Sequence, residues 1–505
     1  MNYKLICCNP PLVWKHFEDI CAIPHGSGNE EAVAIHVEQF AKNLGLFSHR
    51  DSANNVFVRL PATAGYEHIP AVMLQGHLDM VCEKDSASTH DFTTDGLDLF
   101  IDENGHVGAR GTTLGGDNGI AVAMMMALLE NPPMPHPTLE CLFTVSEETG
   151  LEGAHAFDPA EVAVTAKTMI NVDSESESVV TAGCAGGMRT DITLPVVPEV
   201  FKGTQVMVAV DGFSGGHSGV EIHEGHTNAI KALGEILNTV LATSPTQAYL
   251  VEIGGGGKDN AIPRDATAIL ALQTQDMTEA ETFCQQIISA AEVLRGQPNI
   301  ILRDQGFTCQ AVVMPTTATY MFAQGTSQTL ALLQLARDGV LAMNAHVKGM
   351  VAYSRNMGIV KTLTDDHGRP VAVKFSFSTR SACEGHLNSA ERELSLLAST
   401  CGQGLSTPTV HHHARYPGWD YAPLSPIRDL WLATSQEMYG ILPKVEAIHA
   451  GLECGILLSK MPGMDIISVG PDMWDIHTPK ERLSIESTAK LYALLREVLQ
   501  KYCNM

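Results

Sequence analysis

Ala71-Val72-Met73-Leu74-Gln75-Gly76-His77-Leu78-Asp79 is the stretch on which the architecture turns. Four apolar residues running into a small polar segment read as a short, fully buried strand, the kind found in sheets covered on both faces. The same texture returns at residues 139–145 and 168–172, and a helical pattern at 119–130 sits between the first two. Strand, helix, strand repetition predicts an α/β fold: a mostly parallel central sheet with helices on both faces. Upstream, residues 11–21 and 29–44 carry apolar side chains at helical spacing, the second opened by Ser27-Gly28-Asn29-Glu30 as a capping stretch. The chain closes in the same style, with a strand at 465–469 and a helix at 484–499.

Around residues 183–188 the texture changes. Strand patterns at 204–210 and 371–378 and long amphipathic helices at 228–241 and 278–295 read as an inserted α+β domain. The expected division is therefore a discontinuous outer domain, 1–186 and 384–505, interrupted by an insert at 187–383. A length of 505 residues agrees with at least two domains.

Composition narrows the partners. With 45% hydrophobic and 18% charged residues the chain has ample material for a core. Its net charge of −25 repels phosphate backbones and anionic headgroups, which excludes nucleic acid and membrane surfaces as expected partners. The first residues, MNYKLICCNPPLVWKHF, lack a basic segment leading into an apolar one, and the apolar run at 119–129 falls far short of a membrane span. Twelve cysteines are scattered without a CxxC pair. They read as reduced, buried thiols, and the protein is expected in the cytoplasm.

Chemistry gathers where the predicted strands end. His77 and Asp79 share a face if the chain stays extended, which suits a metal ligand and the carboxylate that orients it. A surface turn would also contain them. Asp117, flanked by glycines in Gly115-Gly116-Asp117-Asn118-Gly119, could bridge two cations or simply cap the helix that follows. Glu147 and Glu148 are adjacent carboxylates, which repel unless a cation, a shared proton or solvent compensates. Asp173 in Asn171-Val172-Asp173-Ser174-Glu175 and His477 in Trp474-Asp475-Ile476-His477-Thr478-Pro479 complete the set. Five segments thus deliver His or carboxylate groups beyond the carboxyl ends of strands, where open α/β sheets bind ligands. Mixed His and carboxylate donors suit zinc or a similar divalent ion.

In this order, GHLDM (76–80), GGDNG (115–119), EETG (147–150), NVDSE (171–175) and IHTPKE (476–481) resemble the M20 (clan MH) metallopeptidases. Within that family the chain is most similar to the bacterial aminoacyl-histidine, or cytosol non-specific, dipeptidases, which are carnosinase-like. IPHGSGNE (23–30), YPGW (416–419) and HAGLECG (449–455) extend the resemblance over nearly the whole chain. It implies two zinc ions per chain, with cobalt or manganese as substitutes. One would be held by His77 and Asp173, the other by Glu148 and His477, with Asp117 bridging. Asp79 would orient His77, and Glu147 would be the general base acting on a zinc-bridged water. A cis peptide at Asp117-Asn118 is also implied.

The resemblance further makes the insert a lid and dimerisation domain in a homodimer, and it implies that His217 in Ser214-Gly-Gly-His-Ser-Gly stabilises the oxyanion. The substrate would be a dipeptide, preferentially Xaa-His including carnosine, with a free C-terminal carboxylate. Arg380 is the candidate anchor for that carboxylate because its planar fork matches one. The family often has Asp two residues before this Arg; here Ser378 stands there, which leaves the orientation of Arg380 open. Asn260 is a candidate helper, and Glu453 a candidate for the substrate's amino group. The alternatives on the same scaffold are an N-acyl amino-acid deacylase and an exocarboxypeptidase. A non-catalytic binding module is disfavoured because the five ligand candidates and Glu147 occur together.

Some motifs mislead. Gly212-Phe213-Ser214-Gly215-Gly216 fits the serine-hydrolase G-x-S-x-G, but no helix pattern follows directly. The glycines at 254–257 before Lys258 lack the first Gly and the closing Ser or Thr of a phosphate loop. His411-His412-His413 cannot all converge on one ion from consecutive positions, so the tract reads as pocket wall or solvated loop. Met124 to Met126 read as core.

Overall fold

The structure, a computed structural model, describes residues 3–347 and 349–505, apart from the side chains at 316 and 317. The chain forms two units: Met1–Cys184, Trp419–Ala447 and Leu452–Met505 make the first, Ala185–Gly418 and Ile448–Gly451 the second.

In the first unit the quoted stretch becomes strand Val72–His77, buried along its whole length. It pairs in parallel with Leu139–Thr144 on one side and Thr168–Asn171 on the other, and the latter pairs in parallel with Asp465–Ser468. Side-chain alternation explains the continuous apolar runs. Val72, Leu74, Cys141, Phe143, Ile170 and Ile467 enter one core with helices Pro11–Cys21, Gly116–Glu130 and Ile485–Tyr502. Met73, Leu142, Met169 and Ile466 enter another with Glu152–Ala156 and Glu453–Lys460. A strand buried on both faces cannot alternate apolar and polar.

The sheet is parallel in its middle and antiparallel toward its edges. Val56–Leu60 joins Leu139–Thr144 antiparallel, Phe47–Arg50 joins Val56–Leu60 antiparallel, and Val179–Cys184 meets Asp465–Ser468 antiparallel. Met124, Met125 and Met126 are fully buried, as a core reading requires.

The second unit is an α+β body on a nine-stranded sheet. Glu199–Asp211, Ala266–Leu272, Ala248–Gly255, Val351–Thr364, Pro370–Ser381 and Gly186–Pro195 pair antiparallel in that order. Helices Ala229–Thr243 and Met277–Arg295 bury Ile230, Leu233, Ile236, Phe283 and Ile287 against it.

The outer unit resumes at Trp419, not at 384 as expected. Helix Glu384–Cys401 buries Leu394 and Ala398 in the second unit's core, and strand Thr409–Tyr416 pairs with Gly186–Pro195. The sequence hid this because a helix followed by a strand also fits the texture of the outer unit.

Candidate active site and metal centre

His77 closes its strand, 1% exposed, with Nδ1 donating to the Asp79 carbonyl at 2.9 Å. In the neutral ring that bond leaves a lone pair on Nε2. Nε2 lies 3.1 Å from Asp117 Oδ1 and 3.5 Å from Asp173 Oδ1. His477 Nε2 lies 3.2 Å from Asp117 Oδ2 and 2.8 Å from Glu148 Oε1. Asp117 therefore divides its two oxygens between two imidazoles.

This arrangement fits metal ions on chemical grounds. A lone pair facing two carboxylate oxygens is repulsive unless a proton or a metal cation stands between them. Donors about 2.0–2.1 Å from a tetrahedral ion are about 3.3 Å from one another, close to the separations seen here. His77, Asp117 and Glu148 also offer ligand atoms all within 4.8 Å of one another. His77, Asp117 and Asp173 form one candidate set; His477, Asp117 and Glu148 form the other.

The electrostatics repeat the point. Burial pulls His77 down, but Asp173, Asp117 and Asp79 outweigh it and raise its pKa well above the ordinary value. His477 is pushed up to about 10 by its bonds to Asp117 and Glu148. Burial lifts Asp173 to about 6 and Glu453 to about 7, and it raises Glu147 well above the carboxylate range. Positive charge is in demand throughout the cluster.

Asp79 engages several neighbours. Oδ1 accepts from the Glu147 amide at 3.0 Å, and Oδ2 accepts from the Glu148 amide at 3.3 Å and from Ser27 Oγ at 2.8 Å. The Asp79 carboxylate thus fixes the base candidate's backbone and the N-terminal Ser27 loop, while its carbonyl holds the His77 ring. The Glu147 turn has a second brace: Ser146, at φ 50, donates from both N and Oγ to Glu30 Oε1. Ser27 and Glu30 do not cap helix Glu31–Asn43, which has no side-chain cap bond; they hold the site instead.

Glu481, the last residue of IHTPKE, supports the Asp117 segment. Its oxygens accept from the amides of Leu114, Gly115, Gly116 and Asp117 at 2.8–3.4 Å. Burial holds it at about 7. Gly115, at φ 67, supplies the left-handed turn that aims those amides at one carboxylate, a conformation suited to glycine. Asp117 is not a helix cap; its backbone is non-helical, and the Asp117-Asn118 peptide is cis. Asn118 Oδ1 accepts from the His77 amide at 3.2 Å, and its Nδ2 donates to the Val172 carbonyl at 2.7 Å, tying two ligand-bearing strand ends together.

Glu453 is fully buried at the start of helix Glu453–Lys460. Its Oε2 accepts from Gln75 Nε2 at 2.5 Å and Thr144 Oγ1 at 2.7 Å, whereas Oε1 has no hydrogen-bond partner among the described residues.

The other candidates lie in the second unit. Strand Gly216–His217 pairs with Ala261–Ile262, which sets Asn260 beside His217, and the Asn260 carbonyl accepts from the Ser218 amide at 2.9 Å. His217 Nδ1 accepts from the amides of Gly219 and Val220 at 3.3 and 3.1 Å, so its neutral ring carries the proton on Nε2. Burial and the nearby Arg380 hold its pKa below the ordinary value. Arg380 Nη1 donates to Tyr416 Oη at 3.2 Å. Tyr416 reaches Arg380 across Gly187, where any Cβ would stand 2.5 Å from the tyrosine ring. Ser214 Oγ donates to the Arg303 carbonyl in an irregular loop, which removes the serine-hydrolase motif from contention.

Residues 73–501 match the model of peptidase family M20/M25/M40. The chain belongs to that family. It is 35% identical to the cytosol non-specific dipeptidase of Escherichia coli (strain K12) over 502 residues, 98% of each chain. The crystal structure of aminoacylhistidine dipeptidase from Vibrio alginolyticus matches with a TM-score of 0.90 at 31% identity, covering 99% of this chain and 98% of that one. Aminopeptidase PepT from Bacillus cereus shares the fold alone, at a TM-score of 0.56 and 15% identity, over 98% of this chain and 99% of that one. The chain is accordingly a peptide hydrolase. No helix of the described residues is long and apolar enough to cross a membrane.

Proposed function

We propose that this family member is a cytoplasmic, metal-dependent dipeptidase that hydrolyses Xaa-His and other dipeptides with a free C-terminal carboxylate. The observation that carries the reading is the division of the Asp117 oxygens between His77 and His477. Two divalent ions, zinc foremost with cobalt or manganese as substitutes, would be held by His77, Asp117 and Asp173 and by Asp117, Glu148 and His477. Such a pair supplies a polarised carbonyl and a water acidic enough to ionise near neutrality.

The chain's own residues do the rest. Glu147, on a turn fixed by Asp79 and Glu30, takes a proton from the attacking water onto its carboxylate and returns it to the departing amine. The His217 Nε2–H would donate to the tetrahedral oxygen, and being neutral it gives up no proton there. Arg380, aligned by Tyr416, would bind the terminal carboxylate, with Asn260 assisting. Glu453 would face the substrate's amino group through its unpartnered Oε1. The second unit would act as the lid and as the contact to a second copy. Its edge strand Thr308–Met321 pairs on one side alone among the described residues, which supports that role.

Turnover of Xaa-His dipeptides, N-acetyl amino acids and longer peptides by the purified protein is the test. Preference for dipeptides supports the reading. Faster cleavage of N-acetyl amino acids would make the protein a deacylase, and faster cleavage of longer peptides a carboxypeptidase.

A further inference from the structure

The His411-His412-His413 tract lies on strand Thr409–Tyr416 rather than in a loop. Strand alternation therefore sends the central ring to one face and its neighbours to the other. His412 is fully engaged: Nδ1 meets Thr190 Oγ1 at 2.9 Å and Nε2 meets Ser395 Oγ at 3.1 Å, on the side covered by helix Glu384–Cys401. His411 and His413 stand on the opposite face with their rings 4.8 Å apart and 13° from parallel.

The neighbouring strand supplies a carboxylate at the matching position. Asp191 is the direct partner of His411 in the ladder, and its Oδ2 lies 3.5 Å from His413 Nε2. Each of the three residues offers a ligand atom within 4.8 Å of the others. Two imidazoles and one carboxylate on adjacent strands, with His411 open to solvent, leave room for water in the remaining coordination positions. This donor set selects transition ions over magnesium or calcium, which take oxygen ligands.

We propose that Asp191, His411 and His413 form a further site, separate from the peptidase centre, for a divalent transition-metal ion of the zinc or nickel class. The ion links strand Thr409–Tyr416 to strand Gly186–Pro195 through side chains as well as through the backbone ladder. One neighbour opposes it: Lys374 Nζ lies 2.9 Å from Asp191 Oδ2, so the ion must displace an ammonium from that oxygen. Asp191 Oδ1 keeps its bond from Ser376 Oγ at 2.6 Å, which holds the carboxylate in place during the exchange. The site is thereby open, exchangeable and weaker than one built without a competing cation.

The experiment is a nickel titration of the full chain loaded with two equivalents of zinc per chain, followed by calorimetry. The expected result is one further equivalent of nickel per chain, absent from the His411→Gln, His413→Gln double variant. Asp191→Asn should weaken this uptake at least about tenfold, the effect of losing even a residue that supports a ligand. Lys374→Gln should tighten it, and no merely structural role for the histidines produces that gain. Should the double variant unfold early, His411→Gln alone decides, because that ring is exposed. No further nickel bound by the unaltered protein, or equal uptake by the His411 variant, overturns the proposal.

Discussion

Among the described residues, two clusters of His and carboxylate offer converging ligand atoms, and they differ in what holds their side chains. Around Asp117, the supporting groups are carboxylates that accept backbone amides: Glu481 takes four and Asp79 two, while Asn118 clamps His77 to the strand beside it. Around Asp191, support comes from one hydroxyl and one flexible ammonium, and one ring is open to solvent. Ligand types are alike, and each cluster has one exposed ring, His477 in the first and His411 in the second; the anchoring of the donors is what differs. A site whose donors are fixed before an ion arrives can hold it in one geometry, which hydrolysis requires. A site on an open sheet face can bind and release.

That contrast can be broken most forcefully at Asp117. Asp117→Ala should release both ions and bring turnover to background, as read by elemental analysis of the purified variant. Metal content equal to that of the unaltered chain would show that Asp117 bridges nothing. Glu147→Ala should separate chemistry from binding: both ions stay, and kcat falls about 10²–10⁴-fold. Substantial remaining turnover would remove Glu147 as the base.

A finer test addresses support alone. Glu481→Gln leaves every ligand candidate in place but halves the capacity of its carboxylate to accept amides. Metal affinity should fall about 10–100-fold, measured by competition with a chelator. An unchanged affinity would mean that fixing Asp117 through its backbone is unnecessary, and the contrast between the clusters would lose its cause. The smallest effect belongs to the substrate side. Arg380→Ala should raise KM for dipeptides about 10–100-fold, the worth of a charged hydrogen bond, and leave dipeptide amides little affected. Tyr416→Phe should do the same more weakly, and an equal loss on amides would place the carboxylate elsewhere.

Much of this was legible in the sequence because buried parallel strands announce themselves. Residues 71–74, 139–145 and 168–172 are apolar on both faces, and the chemistry sits where each run stops. The ligand candidates that follow them, His77, Glu148 and Asp173, could be found from that pattern. The supporting residues could not. Ser27 and Glu30 look like helix-capping residues, because a short polar side chain before a helix is chemically the same whether it caps that helix or reaches a distant carboxylate. Glu481 acts on amides 365 residues away in the chain, and no local periodicity encodes such a bond. The boundary at 384 was misplaced for a related reason: which sheet a strand joins depends on partners far along the chain. The histidine tract shows the opposite failure. Its alternation was readable once it was known to be a strand, but the sequence offered no turn or apolar pattern to say so.

Metal content per chain, paired with hydrolysis of a Xaa-His dipeptide before and after chelation, tests the central claim most directly. In a His411→Gln, His413→Gln background, which excludes the sheet site, the account predicts about two ions per chain. Activity should vanish on chelation and return with zinc or cobalt. Absence of stoichiometric metal, or hydrolysis indifferent to the chelator, would contradict it.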